Sequence, residues 1–502
     1  MKKLLTFVLT LSLATAVFAG EKLKIRKFKG LNTRLSDYEI ANEESPDMTN
    51  FDLDKAGVLS ERDLFVQYNT SSAGNFPITD VYKFYKSSDA GYLLCVGNGV
   101  IYHATGGQLN QVLVSSDSVE PTSQWGFETF TDGTSDLIFA ANQANSLRTW
   151  NGSDTWFSVS ASSPAENCRI LKKHKSRLFA SGSSEYPYRV YYSSLTDGDD
   201  WTTSGGTLDL PTFEKIMGLE VLSDVLYIFT RQSIYALLGS TPNEFQIVRT
   251  LSNVGTHATE SVVLGNNVIF FLNKAGVFAF DGRQSLNISE TIIPTIDTIS
   301  STYLDRTSCE YDKRGRLLIT YTPEEETYNT KVLVYDTVLK EWYKLSGNFS
   351  SFFKAEGGTD KGELYAGTSD STGYLWQLQA EVVDEQLVHS SESQLATGVT
   401  HNTTLFWGTE ADPIVAFETS EYKVEPKTKL LLHCAENGGN TSTIDSVSPP
   451  HTVVFNDNAK ISSDAKFQNG SILFDGVGDY VTIADLTGSD FDIMASTTDD
   501  WT

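Results

Sequence analysis

The chain has 502 residues, of which 40% are hydrophobic, 12% aromatic and only 20% charged. That length exceeds one ordinary core, and the mixture of apolar runs with Ser, Thr, Asn and Gly excludes long helices and extended disorder. Its 64 Asp plus Glu against 38 Lys plus Arg leave a formal charge of −26, which repels phosphate and argues against a surface that grips nucleic acid.

Residues 1–19 read as a secretion signal. Lys2 and Lys3 form a positive start, residues 4–16 supply a short apolar stretch, and Val17-Phe18-Ala19 places small residues ahead of Gly20. Cleavage is expected between Ala19 and Gly20. The apolar run is too short for a membrane anchor with these flanks, and no other segment approaches spanning length, so no membrane span is expected in the mature chain. Residues 20–77 follow as an N-terminal arm with first strands.

Over 78–380 one grammar recurs at intervals of roughly 40 residues, the period of propeller blades. Two apolar strands flank a turn rich in Gly, Asn or Asp, as a hairpin demands. The paired runs are 92–97 with 100–103, 136–141 with 147–150, 177–182 with 189–193, 225–229 with 234–238, 267–272 with 277–282, 316–321 with 331–336, and 363–367 with 373–378. A lone hairpin cannot bury both faces, whereas blades stacked around an axis can. The expected fold is all-β, a propeller of about seven blades, with a pair of β-sandwiches as the competing arrangement.

Residues 381–428 read as a polar linker with one extra strand pair, and a new domain is expected over 429–502. The four cysteines, Cys95, Cys168, Cys309 and Cys434, show no CxxC spacing, and each lies in or beside an expected strand. Buried thiols are favoured over bridges. If the units are blades, Cys168 and Cys309 are held apart by intervening blades and cannot pair.

Two resemblances rest on these residues. Phe28-Lys-Gly-Leu-Asn-Thr-Arg34, followed by Ser45-Pro-Asp-Met-Thr-Asn50-Phe-Asp52-Leu-Asp54 and by Gly57, Ser60 and Arg62, resembles the opening of phage tail nozzle and DNA-stabilisation proteins. Val190-Tyr-Tyr-Ser-Ser with Asp199-Asp-Trp201, and Gly255-Thr-His with Ser261-Val-Val, continue the likeness in order over residues 22–380. Asp63 departs from it, because the family often has a small residue there. The resemblance implies a propeller built into a ring at the end of a short tail, with other tail proteins or further copies of itself as partners and the virion as its location. The second resemblance is to the start of a concanavalin-like (laminin-G-like) jelly roll. It is carried by Lys429-Leu-Leu-Leu-His-Cys434, Gly470-Ser-Ile-Leu-Phe-Asp-Gly476 and Gly478-Asp-Tyr-Val. Such domains run to about twice this length, so it reads as incomplete, a lectin-like appendage with surface glycans as possible partners. The leader supports a competing reading, an exported bacterial glycan-binding adhesin that is secreted or periplasmic.

Catalytic chemistry is not legible. GxSxG, GxxxxGK, GxGxxG, HExxH and paired CxxC are absent, and no cofactor or catalytic residue is expected. The histidines at 103, 174, 257, 389, 401, 433 and 451 are scattered. Residues 193–201 faintly resemble the Asp-box of sialidases, but Asp197 and Gly198 are adjacent, so a blade-connecting turn is expected. Asp475 and Asp479 flank a glycine turn and are the only calcium candidates; calcium takes about 6–8 oxygens, so a turn is favoured there too.

Overall fold

A computed structural model describes residues 27–378 apart from 37–38, 54–56, 58, 62–64, 88–89, 115–123, 155, 161–164 and 166. It also describes six further strand segments between 404 and 483: Thr404–Thr409, Asp412–Glu418, Val453–Asn456, Lys460–Ser462, Ser471–Leu473 and Tyr480–Ile483.

The chain divides into two compact units, 1–418 and 419–502. The first is a seven-bladed β-propeller. Blades 1 to 6 each take four consecutive antiparallel strands, beginning with Ile78–Tyr85, Gly126–Thr131, Ile170–His174, Gly218–Leu222, Val263–Gly265 and Ser308–Tyr311. Blade 7 begins at Phe349–Lys354. First strands pack side by side around the axis. The ring closes where the Ser350 hydroxyl donates to the Ile78 carbonyl.

The apolar runs legible in the sequence are the second and third strands of each blade. Most residues of such a strand are buried because neighbours cover both sheet faces. In Val225–Phe229, Leu226 and Ile228 pack with blade 3, whereas Tyr227 and Phe229 pack with blade 5. The core is accordingly seven clusters, one between each pair of adjacent blades. That closed cycle rules out paired sandwiches.

The last blade is completed by the start of the chain. Phe65–Gln67 pairs antiparallel with Leu375–Leu378 as the outer strand of blade 7, with the Phe65 and Phe349 rings 4.4 Å apart. Upstream, the chain straps blade 6. Leu31 N–H donates to the Trp342 carbonyl at 2.6 Å. At Gly30 a β-carbon would lie 2.2 Å from that same oxygen, so the close approach requires glycine. Met48–Thr49 lies parallel to Glu341–Ser346. Asn50 takes the left-handed conformation (φ 63°) and exchanges side-chain hydrogen bonds with Ser346. Thr404–Thr409 pairs with the other edge of Met48–Thr49, and Asp412–Glu418 follows it, extending the blade 6 sheet.

In the second unit, Val453–Asn456 pairs with Tyr480–Ile483, and Lys460–Ser462 with Ser471–Leu473. Most residues that carry the jelly-roll resemblance lie outside the described ones, as do residues 1–19 with Ala19 and Gly20. No helix among the described residues is long and apolar enough to cross a membrane.

Cys95, Cys168 and Cys309 are free and buried. Cys168 precedes the first strand of blade 3 and Cys309 lies in that of blade 6, so each packs in a different interblade core. Burial pushes the Cys168 thiol up to about 12 and also raises Cys95 and Cys309. A thiolate is therefore scarce at neutral pH. Ellman's reagent is expected to modify none of these three quickly in the native chain and all three in guanidinium. Rapid native reaction at any of them, located by peptide mapping, would contradict this packing.

Candidate functional site: the charged axis

Three of the first strands carry a glutamate. Glu128, Glu220 and Glu310 occupy first strands of blades 2, 4 and 6. Each carboxylate accepts the backbone N–H of the following residue: Thr129 at 3.1 Å, Val221 at 2.8 Å and Tyr311 at 2.8 Å. Glu128 and Glu310 also reach the next blade, accepting the backbone N–H of Lys173 at 3.3 Å and of Lys354 at 3.0 Å. The carboxylates thus stitch neighbouring blades where their first strands have no ladder between them.

Lysines answer these acids. Lys172 Nζ lies 2.7 Å from Glu220, Lys173 Nζ 3.4 Å from Glu128 and Lys354 Nζ 3.9 Å from Glu310. Burial raises Glu128 and Glu310, against the pull of those lysines. Burial would lower Lys172, but Glu220 and Glu128 outweigh it and hold the ammonium charged. A partly desolvated charge persists only when paired in this way. These pairs therefore link the first strands of adjacent blades along the axis.

At the opposite level, where connectors enter the first strands, Asp80, Arg169 and Glu260 converge from blades 1, 3 and 5. Arg169 donates to Glu260 at 2.9 Å. Asp80 is 5% exposed and accepts the Trp125 N–H at 3.0 Å and the Thr79 hydroxyl at 2.7 Å. Burial, then the Glu260 charge, raises its carboxyl to about 7, with Arg169 opposing. One guanidinium serves two carboxylates here. In water the Asp80 carboxyl ionises near 3.8. Between that pH and about 7 the folded chain keeps a proton that the unfolded chain has released, so this group removes stability as pH rises through the window. Asp80→Asn is expected to stabilise the chain progressively between pH 4 and pH 8 relative to wild type. Urea midpoints across that range test it; a gap independent of pH would refute the assignment.

The other sequence candidates do not join this axis. Asp475 and Asp479 lie outside the described residues. In the Asp-box-like segment, Asp197 accepts the N–H groups of Asp199 and Asp200, and Asp200 those of Thr202 and Thr203, while Trp201 is buried in the core between blades 2 and 3. The carboxylates are used by the turn itself. His103, His174 and His257 are apart, each with its pKa lowered chiefly by burial, His174 to about 4. No metal-ligating group of three forms among the described residues. The sequence reading missed the axial charges. Their only local signal is one Glu inside a short apolar strand, as in Gly218-Leu-Glu-Val-Leu222.

No protein-family model matches the chain, and no curated protein sequence matches it. Solved structures are similar in fold. The extracellular domain of BT4673 from B. thetaiotaomicron aligns with a TM-score of 0.44 at 11% identity, over 80% of this chain and 52% of that one. The WD40 domain of Neurospora crassa Pan2 aligns at 0.40 with 12% identity, over 64% of this chain and 97% of that one. The designed protein Ika8 aligns at 0.37 with 12% identity, over 62% of this chain and 99% of that one. This chain spans about half the length of the BT4673 domain.

Proposed function

We propose that this protein is a non-enzymatic structural component of a short phage tail, a nozzle-like or hub-like subunit that carries a lectin-like segment over 429–502. The observation that supports it is what the N-terminal motif does. Gly30, Asn50 and Asp52, which carry the nozzle-family resemblance, strap blade 6. That shared architectural task supports the nozzle-family reading. In this reading DNA passes through the centre of an assembly of copies. The acidic surface charge suits a passage to which DNA does not adhere.

Negative-stain microscopy of the purified protein, with mass spectrometry of the source particle, tests this reading. Rings of several copies and presence in the virion are expected. A strictly monomeric protein absent from virions sinks it. The exported adhesin remains the second reading, favoured by the leader-like residues 1–19. A native N-terminus at Gly20, together with a positive glycan array for the full chain, would select it.

A further inference from the structure

Blades 1 and 2 depart from the usual plan at their rim. Their outer strands, Gln108–Val114 and Trp156–Val159, pair in parallel and join the two blades into one eight-stranded sheet. Beside this junction lies an open groove of about 400 Å³, lined by His103, Asn110, Gln111, Trp150, Ser153 and Asp154 among others. That volume falls within the range of about 300–1,000 Å³ usual for small-molecule sites.

The aromatic wall and the turn backbone are held in place. His103 and Asn110 are cross-strand partners. The His103 ring lies 5.7 Å from Trp150 and 5.5 Å from Tyr92 in tilted and edge arrangements. Opposite, Asn151 accepts the N–H groups of Ser153 and Asp154, and Trp150 Nε1 donates to the Asp154 carbonyl at 2.8 Å. Gly152 makes that turn at φ +82°, and a β-carbon there would strike the Tyr92 ring. The turn is therefore held before any ligand arrives, which reduces the ordering cost of binding.

The lining chemistry narrows the occupant. The side chains of Asn110, Gln111, Ser153 and Asp154 make no hydrogen bond with other described residues, so their donors and acceptors face the groove or solvent. Burial lowers His103 and keeps its imidazole neutral. No lysine or arginine lines the groove, which disfavours phosphate, and the polar rim disfavours a hydrocarbon. A peptide added as a strand would need the edge of Gln108–Val114, which Trp156 and Phe157 already occupy at Leu113 and Val114. A compact ring with many hydroxyls and an apolar C–H face matches amides, a carboxylate and aromatic edges together. We propose that this rim groove binds a neutral sugar of one or two rings.

The test is saturation-transfer NMR on the full chain with maltose, cellobiose, lactose and N,N′-diacetylchitobiose, each at millimolar concentration. At least one is expected to show transfer and to change the fluorescence of Trp150. Asn110→Ala and Asp154→Ala should each weaken binding about tenfold, with thermal melts unchanged because both side chains are exposed and without partners among the described residues. Absence of transfer for every sugar overturns the proposal. So does transfer that both variants leave intact, since that binding would lie elsewhere, for example in residues 419–502. Neither result depends on the phage-tail reading.

Discussion

Asp52→Ala is expected to destabilise the propeller by about 3–5 kcal/mol, the cost of removing one partner from a buried ion pair. Asp52 is 3% exposed, and its carboxylate lies 2.7 Å from Nη1 of Arg316, itself 4% exposed. The same guanidinium donates through Nε to Asp312 at 2.6 Å, and Arg314 lies 3.5 Å from Asp52. Without Asp52, Arg316 keeps Asp312 as its acidic partner among the described residues, in a site with little room for water to replace Asp52. The loss should therefore be insensitive to salt, because surface screening does not reach a buried pair. Urea denaturation at low and high salt measures both points. Asp52→Ala combined with Arg316→Met should cost less than the sum of the single changes. Strict additivity, or a loss under about 1 kcal/mol, would mean that the strap is not anchored through this pair.

Phe65→Ala is expected to cost about 3–5 kcal/mol, as for other large aromatic deletions in a packed core. Phe65 is 6% exposed and lies in the cluster between blades 6 and 7 with Met48, Leu53, Phe349 and Leu378. It belongs to the strand that closes the ring, so the damage should fall on closure as well as on packing. A chain beginning at Ile78 would lose Leu31, Met48, Leu53 and Phe65 from two clusters and leave the edge of Leu375–Leu378 unpaired. Such a chain is expected to lose its single cooperative unfolding transition and to aggregate through that edge. Calorimetry and light scattering check this. A soluble, cooperatively melting chain from residue 78 would show that closure by Phe65–Gln67 is dispensable.

Sequence periodicity determined the two middle strands of each blade. Their residues are buried on both faces, so they read as apolar runs such as Arg316–Tyr321 and Lys331–Asp336, each pair punctuated by a turn. It also determined the repeat, and with it the propeller. First and fourth strands were less legible for opposite reasons. Gly126–Thr131 and Ile170–His174 interrupt their apolar pattern with Glu128, Lys172 and Lys173, whose partners sit on other blades. Gln246–Arg249 and Ser285–Asn287 are short and largely exposed at the rim, so burial imposes little pattern on them. Only the tertiary structure decided that Phe65–Gln67 closes blade 7, that Asp52 meets Arg316, and that Asp80, Arg169 and Glu260 share one end of the axis. Each of those pairings joins residues far apart in the chain. Local propensity and spacing act over a few residues, whereas closing a ring brings its two ends and its successive first strands together, and that is a property of the fold as a whole.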